Sequence, residues 1–297
     1  MPPPILAIFG PTGVGKTALA LALAQRLRDR GQRVVAVSAD ALQVYEGLPI
    51  LTGLPDTADR ARLEHRLVAF VPITETFSAG AYARLAHAEI DALLAEGTTP
   101  IVVGGTGLYL RAALADLDLR QPVDATIRAR WTAALAEGGP VALHDELRSR
   151  DAALAARIAP TDAHRLVRTL ELLDDGQTPP GPQDTQLWTT QTRRPTRLIG
   201  LTMDRAALTA AIDARVDAML DAGVVDEVRA ADHVGASLTA RKALGFTDLL
   251  DGDVAAMKTR TRRYAKRQLT WMRKLPDVEL VDVTGRAADD VAAQLLP

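Results

Sequence analysis

The sequence predicts an α/β fold: a parallel sheet flanked by helices, with an all-helical subdomain inserted into it. Three observations predict this. Apolar runs of strand length each end in a polar or glycine-rich turn, and helical stretches separate them. The first run feeds into a glycine-rich anion-binding motif that opens a helix. A long Ala/Arg-rich segment without strand runs then interrupts the alternation.

Ile5-Leu6-Ala7-Ile8-Phe9 reads as a buried strand. Gly10-Pro11-Thr12-Gly13-Val14-Gly15-Lys16-Thr17 follows and fits G-x-x-x-x-G-K-[ST] at every fixed position. Its glycines let backbone N–H groups fold inward around an anion, the helix N-terminus adds a favourable dipole, and Lys16 supplies a point charge. The sheet is therefore a P-loop sheet and the chain binds a di- or triphosphate; the plainer reading is a glycine turn. Lys16–Arg30 is helical, Arg33–Asp40 is a second strand ending in an acid, and Tyr82–Glu96 is helical. Pro100–Thr106 is a third strand ending in Gly104-Gly105-Thr106, and Thr196–Thr202 is a fourth. Ligands of such sheets bind beyond the carboxyl ends of the strands, so the first three endings converge on one crevice. Residues 119–191 read as the helical insertion, with Pro122 near its start and the extended stretch Gln177-Thr178-Pro179-Pro180-Gly181-Pro182-Gln183 near its end. The α/β core is assigned to 1–118 and 192–297, and the chain reads as helical again after residue 204.

With 297 residues and 47% hydrophobic content, the chain can bury one large core beside a smaller insertion. It has no cysteine, which excludes disulfides and thiolate metal sites, and its five histidines show no metal spacing. No signal-peptide pattern and no apolar run of bilayer length is visible. A cytoplasmic monomer without a membrane partner is expected. A net charge of −2 says nothing about a polyanionic partner, yet it hides one basic element. From Met257 to Lys274 there are eight basic residues and no acid, with Tyr264 and Trp271 interleaved. Arg263, Lys266 and Arg267 lie in its middle. Such a helix suits phosphate contacts and base stacking; a solvated charged face is the ordinary alternative.

The remaining chemistry gathers at the strand ends. A nucleotide hydrolase with this loop usually carries a second acid on an apolar strand to hold Mg2+. The third strand ends in Gly104-Gly105-Thr106 instead, which weakens the ATPase and GTPase readings and leaves Asp40 as the acid able to meet a metal. The paired glycines allow a ligand to approach the backbone and Thr106 can donate to a phosphate oxygen; a tight strand-to-helix turn is the other reading. Asp40 is either a helix N-cap or the acceptor of a nucleophile's proton near the phosphates. Gln43 can read an adenine edge or face solvent, and Tyr45 lies beside it. Arg165 and Arg168 share a helix capped by Asp162, and either touch a polyanion or pair with Glu171 and Asp174. Arg215, on the helix Leu208–Leu220, faces the same choice, and a diphosphate site wants a second cation. Trp131 and Trp188 read as packing residues.

Taken together, these motifs resemble the tRNA dimethylallyltransferase (tRNA isopentenylpyrophosphate transferase) family. The resemblance rests on the phosphate loop, on Ser38-Ala39-Asp40 with Gln43 and Tyr45, and on Val103-Gly104-Gly105-Thr106-Gly107-Leu108-Tyr109. It continues through Asp162-Ala163-His164-Arg165-Leu166-Val167-Arg168-Thr169-Leu170-Glu171, Arg215-Val216-Asp217-Ala218-Met219 and Lys266-Arg267-Gln268-Leu269-Thr270-Trp271-Met272-Arg273. Order and spacing hold from about residue 5 to 275, and the glycine and Lys-Arg-Gln-x-Thr-Trp motifs are the specific ones. Three departures stand out: Leu51-Thr52-Gly53-Leu54-Pro55 where the family has Gly-Thr-Ala-Lys-Pro, Glu64-His65 where it has His-His or Pro-His, and Ala41 where it has serine.

The resemblance implies transfer of a dimethylallyl group from dimethylallyl diphosphate to N6 of the adenine next to the anticodon. Lys16, Thr17, Thr106 and Arg215 would stabilise the leaving diphosphate, Asp40 would take the N6 proton, and Mg2+ would sit on the diphosphate through Thr17. The adenine must leave its stack to react. The insertion and the basic helix would clamp the anticodon stem-loop, with Asp40, Gln43, Tyr45, Arg165, Arg168, Arg263, Lys266 and Arg267 as its contacts. The competing functions are a nucleoside or nucleotide kinase, which binds ATP through the same loop, and an adenylate prenyltransferase acting on free AMP. No glycine-flanked arginine lid supports the first, and the basic segment and long insertion argue against the second.

Overall fold

The computed structural model describes residues 4–120, 123–181 and 186–296. Pro122, and Pro182 and Gln183 of the extended stretch, lie outside the described residues. The chain divides into two compact units, Met1–Leu117 with Gln186–Pro297, and Asp118–Thr185.

In the first unit β1 (Ile5–Phe9), β2 (Val34–Ser38), β3 (His65–Arg66), β4 (Thr99–Gly104), β5 (Thr196–Thr202) and β6 (Val278–Asp282) form one sheet in the order β3-β2-β4-β1-β5-β6. Every neighbouring pair is parallel. β1 is buried throughout because it lies between β4 and β5, with Ile8 opposite Val103 on one side and Ile199 on the other. Burial on both faces explains its unbroken apolar run, since no face is left for polar residues to alternate onto.

Helices fill the crossovers. α1 (Lys16–Asp29) joins β1 to β2; α2 (Pro49–Thr52) and α3 (Thr57–Arg62) precede β3; α4 (Ala79–Ala95) leads to β4, and α5 (Gly107–Leu114) leaves it. The second unit holds α6 (Ala125–Arg150), α7 (Ala152–Ala155) and α8 (Ala163–Asp174). α9 (Arg205–Asp221), α10 (Val224–His233), α11 (Phe246–Leu250) and α12 (Val254–Met272) lie between β5 and β6, and α13 (Ala288–Leu295) follows. Short oxygen-bearing side chains start several of these helices by accepting first-turn N–H groups. Ser78 serves Ala81 at 3.1 Å, Asp204 serves Ala206 at 2.8 Å and Asp253 serves Ala256 at 2.8 Å. The main core packs Leu19, Leu23 and Leu27 of α1 with Ile8, Ile101, Ile199, Ile212 and Val291.

The second unit has its own core of Trp131, Leu143, Leu147, Ala155, Leu166 and Leu170. Gly139 (φ 70°) and Pro140 break α6 into two helical halves. Trp131 is a packing residue here, donating its Nε1–H to Asp174 at 2.6 Å.

Two strands escape sequence reading. β6 contradicts the helical reading after residue 204, and β3 is a two-residue edge. β6 runs along β5 at the sheet edge with only Val281 buried, so its charged Glu279 and Asp282 mask the apolar signal. Residues 186–191, grouped with the insertion by composition, run with the core. Gln186–Trp188 forms a 3-10 turn, and the Gln186 and Gln191 carbonyls accept from buried Arg111 of α5 at 2.8 and 3.1 Å. Among the described residues no helix is long and apolar enough to cross a membrane.

Candidate active site

The carboxyl ends of β2, β4 and β1 are adjacent in the sheet, and the crevice of about 340 Å³ above them lies within the first unit. Thr12, Gly13, Gly15, Lys16 and Thr17 of the phosphate loop line it. Gly15 opens α1 in the left-handed region (φ 92°), with no side-chain cap. The first N–H groups of α1 are thereby left for an anion. Gly10, Pro11 and Val14 support the loop from behind: Val14 is buried in the main core, and the Gly10 and Pro11 carbonyls accept from Lys16 Nζ at 3.0 and 2.9 Å. Burial pushes the Lys16 ammonium down to about 8, with Asp40 opposing and Arg215 adding to the shift.

Asp40 follows β2 but caps no helix. The chain turns after it, and its Oδ1 accepts from Leu42 N at 3.0 Å while the residue lines the crevice. Thr106 is turned toward this segment: its Oγ1 accepts from Ala41 N at 3.2 Å. The glycines at and after the end of β4 make room for protein rather than for ligand. A side chain at Gly104 would overlap the Ala39 backbone, one at Gly105 the Gln268 amide, and one at Gly107 the Trp271 ring.

That packing explains why the glycine motif and the Lys-Arg-Gln-x-Thr-Trp motif occur together. Buried Gln268 accepts from Thr12 N at 2.8 Å and donates to the Gly105 carbonyl at 2.8 Å, so one amide ties the phosphate loop to the β4 loop. Sequence reasoning missed Gln268 because it stands inside a run read for its charge. Met257, Thr261, Ala265, Gln268 and Met272 form the inward face of α12, a helical spacing that was legible. Met257, Thr261, Tyr264 and Gln268 reach the crevice, which Leu51, Val216, Met219 and Leu244 also line. Burial raises the Tyr264 phenol to about 12; Asp40 pushes the same way, and Thr106 and Arg267 oppose.

Arg215 reaches the crevice from α9 and makes no hydrogen bond or ion pair among the described residues. Burial lowers its pKa and Asp40 opposes this. The crevice therefore holds two cations, Lys16 and Arg215, neither within ion-pair distance of a carboxylate among the described residues, beside the Asp40 carboxylate. Such a set has the chemistry to hold a polyanion and to accept a proton next to it.

Several expected contacts take other roles. Tyr45 is 1% exposed, donates its hydroxyl to Thr239 at 2.7 Å and accepts from Phe77 N at 3.2 Å, so it is a core residue rather than an RNA contact. Gln43 lines the crevice, but its amide accepts from Ser38 Oγ at 2.9 Å and donates to the Gly53 carbonyl at 3.0 Å, which leaves it holding a loop rather than reading a base. Arg168 pairs with buried Glu171 at 3.4 Å and donates to the Arg120 carbonyl at 3.1 Å, a structural use inside the second unit. Arg165 is exposed beside its capping Asp162. The basic helix divides. Lys258, Arg260 and Arg262 pair with Asp217, Asp248 and Asp213 at 2.6, 3.0 and 3.5 Å. Arg263, Lys266 and Arg267 are exposed and form no ion pair among the described residues; Arg267 lies 5.4 Å from the Tyr264 ring centroid.

A six-stranded parallel sheet flanked by helices, with a G-x-x-x-x-G-K-[ST] loop between its first strand and first helix, defines an α/β protein of the P-loop type. More narrowly, the chain belongs to the IPP transferase family, whose model matches residues 43–275. The tRNA dimethylallyltransferase of Thermobifida fusca is 40% identical over 285 residues, covering 92% of this chain and 88% of the relative. That of Thiobacillus denitrificans is 40% identical over 99% of this chain and 97% of its own. Among solved structures, the full-length tRNA isopentenylpyrophosphate transferase of Bacillus halodurans aligns with a TM-score of 0.69 at 32% identity, covering 98% of this chain and 94% of the other. A eukaryotic dimethylallyltransferase captured acting on tRNA aligns with a TM-score of 0.72 at 25% identity, covering 94% and 74%. The family and the fold class expected from the motifs both hold.

Proposed function

We infer that the protein transfers a dimethylallyl group from dimethylallyl diphosphate to N6 of the adenine beside the anticodon of tRNA, giving N6-isopentenyladenosine. The observation that carries this reading is the meeting, in one crevice, of the Asp40 carboxylate with two cations that form no ion pair among the described residues. The relatives' names support the substrate class. In this reading the diphosphate lies on the phosphate loop between Lys16 and Arg215. The N6 lone pair forms a bond to the allylic carbon as the carbon–oxygen bond to diphosphate breaks. Charge developing on the diphosphate is met by Lys16, Arg215 and the loop N–H groups, and the N6 proton passes to Asp40. Thr106 acts by holding Ala41, and with it the Asp40 turn.

A magnesium ion fits this arrangement. Thr17 lines the crevice and makes no side-chain hydrogen bond among the described residues, and Mg2+ prefers a few protein oxygens completed by phosphate oxygens and water. Thr17 would hold it, and the ion would neutralise diphosphate charge. Arg263, Lys266 and Arg267 of α12, with Arg165 of the second unit, are the proposed tRNA contacts.

The test is to incubate the protein with Mg2+, dimethylallyl diphosphate and an unmodified anticodon stem-loop, and to weigh the RNA. Addition of one five-carbon unit to adenine is expected. Parallel reactions offer AMP as acceptor, and ATP in place of the prenyl donor. Prenylation of AMP as readily as of the stem-loop would assign a free-nucleotide enzyme, and phosphate transfer without prenylation a kinase.

A further inference from the structure

Among the described residues no acid pairs with the Arg215 guanidinium, so something else must fix its direction. That partner is the turn after α2. Gly53 ends α2 in the left-handed region (φ 59°), and the tip of the Arg215 side chain, Nη2 foremost, occupies the space a side chain there would fill. A methyl group at Gly53 would fall 2.8 Å from Arg215 Cζ, 3.2 Å from Nη1 and closer still to Nη2. The turn itself is pinned at both ends. Glu227 of α10 accepts from Ile50 N and Leu51 N, each at 2.8 Å, and Gln43 donates to the Gly53 carbonyl at 3.0 Å while accepting from Ser38. Burial raises the Glu227 pKa and its two backbone hydrogen bonds oppose the rise.

We propose that Gly53, on a turn clamped by Glu227 and Gln43, is a positioning residue that seats the Arg215 guanidinium over the diphosphate site. The proposal rests on the reading of Arg215 as a diphosphate clamp. Because the atoms that a methyl would meet are the tip of a flexible side chain, Gly53→Ala displaces the arginine rather than the fold.

The experiment measures binding of inorganic pyrophosphate with Mg2+ to the full chain by calorimetry, alongside KM and kcat for dimethylallyl diphosphate. Gly53→Ala is expected to weaken pyrophosphate by about tenfold and to raise KM to match, as Arg215→Gln does. The double variant should bind no more weakly than Arg215→Gln alone, because both changes remove the same contact. Glu227→Gln, which loosens the turn without touching Arg215, should weaken binding several-fold. Gly31→Ala is the control: Gly31 also has a positive φ (77°), but nothing lies within 4 Å of its would-be side chain. It bears the same backbone strain and should leave pyrophosphate binding unchanged. If Arg215→Gln weakens binding while Gly53→Ala binds as the parent does, or if the two losses multiply in the double variant, the seat is disproved. If Arg215→Gln itself binds like the parent, the clamp reading falls and the proposal with it.

Discussion

Asp40 has one oxygen committed to Leu42 N and shares its crevice with Lys16 and Arg215. Asp40→Asn keeps the shape and removes the base, so single-turnover prenylation should slow by roughly a hundred- to ten-thousand-fold. Stem-loop affinity, measured by filter binding, should stay within about twofold of the parent's on the same argument; unchanged turnover would strip Asp40 of the proton. Lys16 makes a pH prediction. Its ammonium is charged below about 8 and neutral above, so pyrophosphate affinity should fall as pH rises through that value. Lys16→Arg stays charged over this range and should lose that part of the pH dependence; a profile identical to the parent's would assign the fall to another group. Lys16 and Asp40 were legible because a loop motif and a strand ending fix where they stand. Tyr45 and Gln43 were not: Tyr45 is committed to Thr239 and Phe77, which lie far along the chain, and Gln43 to Ser38 and Gly53 through loop geometry that no motif specifies.

At the scale of elements, α12 combines tasks that its sequence presents as one. Its inward face reaches the crevice through Met257 and Gln268, and its cations split between a set paired with acids and a set with no ion pair among the described residues. Arg263→Ala with Arg267→Ala should weaken stem-loop binding and flatten its salt dependence by about one logarithmic unit per lost phosphate contact. Lys258→Ala, which removes a cation already paired with Asp217, should leave the slope in place. Equal slopes for all variants would make the whole helix face a solvated surface. The positive run was readable, but its partition was not, because Asp213, Asp217 and Asp248 come from α9 and from the turn of α11.

For the molecule as a whole, the alternation of strands and helices announced a parallel sheet, and the apolar run of β1 announced its buried centre. The order β3-β2-β4-β1-β5-β6 could not be read, since it depends on pairings between strands far apart in sequence. The second unit has a core of its own, so Leu170→Ala should destabilise it by about 2–5 kcal/mol. Scanning calorimetry should show that loss while pyrophosphate affinity is retained; a parallel loss of affinity would mean the two cores do not melt independently. One packed pair offers a way to watch the chemistry. Trp271 abuts Gly107 just beyond the β4 loop and stacks on Trp188 with ring centroids 4.5 Å apart. The enzyme thus has its own fluorophores beside the loop that Gln268 ties to the phosphate cradle. With Trp131 replaced by phenylalanine to silence the other unit, changes in emission would report the arrival of substrate in real time, without a dye.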